Sequence, residues 1–241
     1  MARGVTAALS AGAAVFAFDP EAGTPPSRAL HVLTLKRRLP QSDLEPRDHF
    51  ADAAARAVEG AGVDLGGRRG RDAQALRLVE IDDAPGRSRS VTVWYYATAS
   101  FAAFDGPGTW SVAGRGLRLE GSDADAFRAA LERLRTETRQ LAGAAALLGD
   151  VFTGDDLLRV HNALHGGPEG SERTFRRRIQ ELRDGGVLRT VRDSEVASLR
   201  LRVPRFRSPA GTGGRPPELL RYSGSGGEGE QLAALRARRA G

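Results

Sequence analysis

Five arginines fall between Ser171 and Leu188, in SERTFRRRIQELRDGGVL. In that stretch Phe175, Ile179 and Leu182 recur at i, i+4 and i+7, the stripe by which a helix buries one side, so Arg173, Arg176, Arg177, Arg178 and Arg183 cover its other sides. Guanidinium forks on the free side of a docked helix suit guanine edges and phosphate oxygens. The charge balance agrees with that use. Residues 150–241 hold 17 Arg against 12 acidic residues and residues 1–149 hold 19 basic against 18, so nearly all of the net charge of +6 is C-terminal. Each phosphate neutralised by such a segment releases counterions, which makes binding salt-dependent. Other chemistries are poorly served. The 241 residues include no cysteine, which excludes disulfides and thiolate metal sites. His161 and His165 fall on a predicted helix, where packing and surface roles suffice. No catalytic residue, metal or cofactor is expected.

Such a helix needs a frame. Upstream, FTGDDLLRVHNALHGG offers Thr153 and Asp156 as a capping box and places Leu157, Val160, His161 and Leu164 on one stripe. Downstream, Gly185 and Gly186 stop the basic helix, 187–191 reads as a strand, 193–195 as a turn, and either 197–203 or 218–222 as the returning strand. Helix, turn, basic helix and hairpin is the order of a winged helix-turn-helix, predicted over residues 149–223, with a flexible tail over 224–241. Residues 194–214 form either the wing or an insertion. The first half alternates strand and helix character. Strands are expected at 6–18, 29–35, 75–80 and 90–98 (SVTVWYYAT), with a further strand region at 110–119. A helix is expected at 48–60, ended by Gly60 and Gly62, and a Gly-rich loop at 66–70. A long helix at 123–148, with Asp123 and Asp125 at its positive end, is expected to join the two halves. A length of 241 residues predicts two domains. The apolar run 5–18 lacks a basic leader and is shorter than the roughly 20 residues a membrane span needs, so a cytoplasmic protein with no membrane association is expected.

FTGDDLLRVHNAL, RTFRRRIQELRDGGVL and GGRPPELLRY together resemble the winged-helix segments of the Nudix-related transcriptional regulators of NAD metabolism, the NrtR family. The match continues upstream through SVTVWYYA, Trp110 and AFRAALERLRTETRQLAGAAALLGDVFT, covering about residues 75–192 and 213–222. The resemblance implies a two-domain α/β (α+β) protein, in which a Nudix-like α/β/α sandwich with a mixed sheet, residues 1–148, is followed by the winged helix. It also implies a homodimer that binds double-stranded DNA at an inverted repeat, most simply as a repressor. Arg173, Thr174, Arg176 and Arg177 are then the expected DNA contacts, with Arg178 and Arg215 on phosphate.

A working Nudix hydrolase holds divalent metal with several carboxylates on one helix face, which neutralise charge and activate water. The family's box, laid over about 41–63 from Gly62 and Val63, puts Glu59 on one motif glutamate, but Gly60 on the next, Arg56 on a third and Ala55 on the motif arginine. Arg47 takes the early glutamate's place, with Asp48 one residue away. The box is degenerate, and loss of hydrolysis is expected; the alternative is a Nudix hydrolase acting on ADP-ribose or a related nucleoside diphosphate derivative. Binding can outlast chemistry. The resemblance implies that this domain senses a nucleotide metabolite such as ADP-ribose, with Lys36, Arg37 and Arg38 facing the diphosphate. Here Leu39-Pro40 follows the basic triplet directly, where the family carries a longer loop. Trp94, Tyr95, Tyr96 and Trp110 are expected in the core rather than on a base.

Overall fold

β1 (Ala7–Phe18) is apolar in both phases of its alternation, a pattern tolerated only by a strand covered on both faces, and it is buried from Ser10 onward. In a computed structural model that describes residues 7–19, 22, 28–65, 76–84, 89–99, 101, 106–114, 116–139, 141–145, 147–148, 151–165, 172–192, 194–195 and 218–223, this strand is the axis of a mixed sheet. β5 (Arg89–Thr98) runs parallel along one side of it, from Ala7↔Arg89 to Phe16↔Thr98. The other side is shared by two antiparallel strands, β2 (Leu30–Thr34) and β3 (Gln41–Asp43). β4 (Arg77–Ala84) forms one edge against β5, and β6 (Thr109–Val112) the other against β2. The order is therefore β4-β5-β1-β2-β6.

Helices cover both faces. On one, Val58 and Ala61, from α1 (Phe50–Gly60) and the residue after it, pack with Ala13, Val15, Leu33 and Ala97, while Ala53 and Ala54 pack on Ala11. α1 ends where Gly62 takes a positive φ of 101°, so that its N–H reaches Glu59 O at 2.9 Å and the Val63 N–H reaches Val58 O at 3.2 Å. Val58 and Val63 then meet in the core, the apolar contact that accompanies this cap. On the other face lies α2 (Asp123–Thr138), whose Phe127 ring stands 6.0 Å from that of Phe16.

The chain divides into two compact units, Met1–Asp19 with Leu30–Thr136 and Pro20–Ala29 with Glu137–Gly241. The second contains α3 (Leu141–Ala145), β7 (Phe152–Thr153), α4 (Gly154–His165), α5 (Glu172–Asp184), β8 (Leu188–Thr190) and β9 (Leu219–Tyr222). Its core gathers Leu141, Val151, Phe152, Leu157, Val160, His161, Leu164, Phe175, Leu182 and Leu220, and its strands form a small antiparallel sheet in the order β7-β9-β8.

Several sequence expectations need correction. The helix expected at 123–148 is two helices, because α2 stops at Thr138 and α3 begins at Leu141. Its last turn carries Thr136 and Thr138, β-branched residues that resist helix, and the Thr136 hydroxyl donates back to the Glu132 carbonyl at 2.8 Å. The returning strand of the small sheet is β9, within 218–222; the other candidate, 197–203, lies outside the described residues, as do the loop 66–70 and the tail 224–241. The strand region 110–119 contracts to Thr109–Val112, and the polar strand β3 had not been expected. Trp94 and Tyr96 are buried in the core, and Trp110 packs against it.

Candidate nucleic-acid interface and a basic turn

The two longer helices of the C-terminal unit, α4 and α5, are each held at one end by short-range chemistry. At the start of α4 the Asp156 carboxylate accepts the Thr153 N–H at 2.9 Å, and the Thr153 hydroxyl oxygen accepts the Asp156 N–H at 3.2 Å, the two halves of a capping box. At the end of α5, Gly186 adopts φ 73°, its N–H bonds Arg183 O, and the Val187 N–H bonds Leu182 O. Leu182 and Val187 are both buried there. α4 and α5 approach closely, since a Cβ added at Gly154 would stand 3.3 Å from Ile179 Cδ1.

These contacts fix which way α5 faces. Phe175 and Leu182 are buried, whereas Arg173, Arg176 and Arg177 are exposed. At 3.6 residues per turn, positions 173, 176, 177 and 180 make one stripe, opposite 175, 179 and 182. Gln180 therefore joins the outward stripe; its Nε2 donates to Asp184 at 2.7 Å. Sequence reasoning passed over it because it carries no charge. Thr174 and Arg178 lie on the flank and are half-buried. Arg177 stands 3.7 Å from Glu181 one turn on, and Arg183 is held at 3.0 Å by Glu218, which also accepts from Thr190. Arg183 is thus a tie between α5 and the small sheet. Arg215 lies outside the described residues.

The basic triplet of the first unit is split by the fold. Leu35 and Arg38 exchange backbone hydrogen bonds at 2.8 and 3.0 Å, closing a two-residue turn whose central residues, Lys36 and Arg37, have φ of 50° and 68°. Both positions favour Gly or Asn, so this turn stores backbone strain to present two long cations to solvent. Arg38 points elsewhere. Its guanidinium donates to Asp123 at 3.2 Å, and the same carboxylate accepts the Leu39 N–H at 2.8 Å. Asp123 is 0% exposed, and its carboxylate raises the Arg38 pKa further above its ordinary value. Asp123→Ala leaves the buried Leu39 N–H without its acceptor and is expected to cost on the order of 2 kcal/mol in urea unfolding. Arg38→Ala leaves that buried carboxylate the Leu39 N–H but no guanidinium, and because Arg38 is itself 52% exposed the cost should be about 1–2 kcal/mol, less than a fully buried pair would lose.

The box helix offers little to a metal. Arg56, standing where the resemblance implies a carboxylate, holds Asp48 at 2.8 Å and donates to the Asp43 carbonyl at 2.9 Å. The Asp48 carboxyl is held below its ordinary pKa by that guanidinium. Among the described residues no three His, Asp or Glu side chains are grouped to hold a metal ion, and no helix is long and apolar enough to cross a membrane.

No protein-family model matches the chain, and no curated protein matches its sequence. Solved structures do match its fold. The crystal structure of Shewanella oneidensis NrtR complexed with a 27mer DNA superposes with a TM-score of 0.62 at 20% identity, over 89% of this chain and 93% of that one. The same protein crystallised without DNA gives 0.61 over the same shares. A MutT/nudix family protein from Enterococcus faecalis gives 0.62 at 12% identity, over 92% of this chain and 88% of that one. Over 89% of its length, the chain has the mixed α/β fold of Shewanella oneidensis NrtR.

Proposed function

We propose that the chain is a DNA-binding transcriptional regulator, a homodimeric repressor whose residues 149–223 form a winged helix-turn-helix. The observation that carries the reading is the outward stripe of Arg173, Arg176 and Arg177 on α5, opposite a buried Phe175 and Leu182 in a helix–helix–hairpin arrangement. A helix so held can enter the major groove, with arginine forks on base edges and phosphates. The likeness to a protein crystallised with a 27mer DNA supports it. Arg178 and Arg215 are assigned to phosphate, and Thr174 to the flank of the contact.

The first unit is proposed to be a sensor without hydrolytic activity, in the cytoplasm. Glu59, the one carboxylate at a motif position, and the Asp48–Arg56 pair argue against a metal-dependent hydrolase. The strained turn carrying Lys36 and Arg37 suits the diphosphate of a nucleotide such as ADP-ribose. An anion there attracts Arg38 away from Asp123, the first residue of α2, so binding acts on the hold of the helix that leads out of the sensor. Coupling of this kind needs a difference of about 1–3 kcal/mol in effector affinity between the two states.

Selection from a pool of random duplexes tests the reading. The expected result is an enriched inverted repeat with half-sites about one helical turn, or a multiple of it, apart. A pool that stays unenriched contradicts it.

A further inference from the structure

We infer that the outer edge of β4 is the surface on which two copies of this chain pair. The inference rests on the homodimer just proposed and assigns it a place.

β4 ends the strand order, and among the described residues no strand pairs with its outer side. It carries two of the few large apolar side chains left in water among the described residues, Leu78 at 54% and Ile81 at 61% exposure. In a regular strand, residues three apart face opposite ways. Here the register shifts between Leu78 and Glu80, so Leu78 pairs with Tyr95 and Ile81 with Val93. Tyr95 and Val93 lie on one face of β5, so the bulge sets both apolar side chains on that face. The face beside them is already covered, with Tyr95 packed against Ala11, Ala53 and Ala54, and Leu78 and Ile81 form its uncovered margin.

The edge sequence is also complementary to itself. In Arg77-Leu78-Val79-Glu80-Ile81-Asp82, a two-fold axis between Val79 and Glu80 lays the strand antiparallel on a second copy. Leu78 then meets Ile81 of the second copy, and Arg77 meets its Asp82, each contact occurring twice. The faces agree, because Arg77 pairs with Tyr96 and Asp82 with Thr92 on the side opposite the apolar pair. Moving the axis onto Glu80 sets Leu78 against Asp82 and stacks two glutamates, so the charges select one register. The bulge and the charges at Arg77, Glu80 and Asp82 are devices that blunt an edge, but they leave Leu78 and Ile81 in water, which a partner strand would cover. Asp83, the other acid near its end, is already held by Arg89. An isologous pairing covers the edge and leaves no open edge at that end.

Sedimentation equilibrium of the full chain tests this. The wild type should sediment at about twice the chain mass of 25.7 kDa, and Leu78→Lys or Ile81→Lys should raise the dimer dissociation constant at least about tenfold with an unchanged circular dichroism spectrum. Arg77→Asp and Asp82→Arg should each weaken the dimer, and the two together should restore it, an outcome that a merely destabilised fold does not produce. A dimer indifferent to both lysine variants overturns the β4 assignment and leaves the dimeric regulator standing. A monomer at tens of micromolar overturns both. The contribution of the α5 arginines, measured on a single half-site with Ile81→Lys, separates either result from a failure of DNA recognition.

Discussion

Arg176→Ala combined with Arg177→Ala is expected to lower affinity for the specific duplex by at least about thirtyfold while leaving the fold intact. Both side chains are exposed on the outward stripe of α5, so truncation opens no cavity. A lost arginine contact to a base costs about 1–3 kcal/mol, and a lost phosphate contact lowers the slope of log K against log salt by about one. The pair should therefore flatten that slope by up to about two and narrow the preference over scrambled DNA. Arg183→Ala is the control. Its guanidinium is tied to Glu218, so its loss should show in stability before it shows in the salt slope. Unchanged titrations for the double variant would remove α5 from the interface.

Gly12→Val is expected to have the largest effect on stability. A Cβ at Gly12 would lie 2.3 Å from Cζ3 of Trp94, and the indole has no room to yield because Trp94 is among the largest fully buried side chains. The two residues are direct partners across the parallel β1–β5 pair, so the strands must part or the ring must leave its rotamer. Overpacking of this kind costs about 3 kcal/mol at the high end of its range. At about 2–4 °C per kcal/mol for a chain of this size, the first unit's thermal midpoint should fall by roughly 10 °C. Gly12→Ala with Trp94→Leu should recover part of the loss of the two single variants, since they share one contact. Full additivity would mean that the clash is relieved elsewhere.

What was legible in the sequence was local. The apolar stripe of α5, the Thr153–Asp156 box and the glycines that end α1 and α5 act within a few residues, and each is where its spacing put it. β5 was visible because Val91, Val93, Trp94 and Tyr96 favour strand wherever they stand. What escaped depends on partners distant in the chain. β3 is three polar residues that become a strand only because β1 offers an edge. Asp123 reads as a helix-end acid, and nothing nearby announces that it binds Arg38 and the Leu39 amide across the fold. The same contact splits the basic triplet, which as sequence was three equivalent cations. The β4 bulge is invisible to a period-two reading, which separates Leu78 from Ile81.

Whether α5 reads DNA is decided on the intact protein. The most direct measurement is fluorescence anisotropy of the intact protein on a labelled duplex from upstream of its own coding sequence, against a scrambled duplex, near 150 mM salt, where specific affinities typically exceed non-specific ones by about 10³ or more. With α5 in the major groove, the upstream duplex is preferred and the preference is lost with Arg176→Ala and Arg177→Ala. Equal, weak binding of both duplexes, or a preference that survives the two substitutions, would contradict that placement.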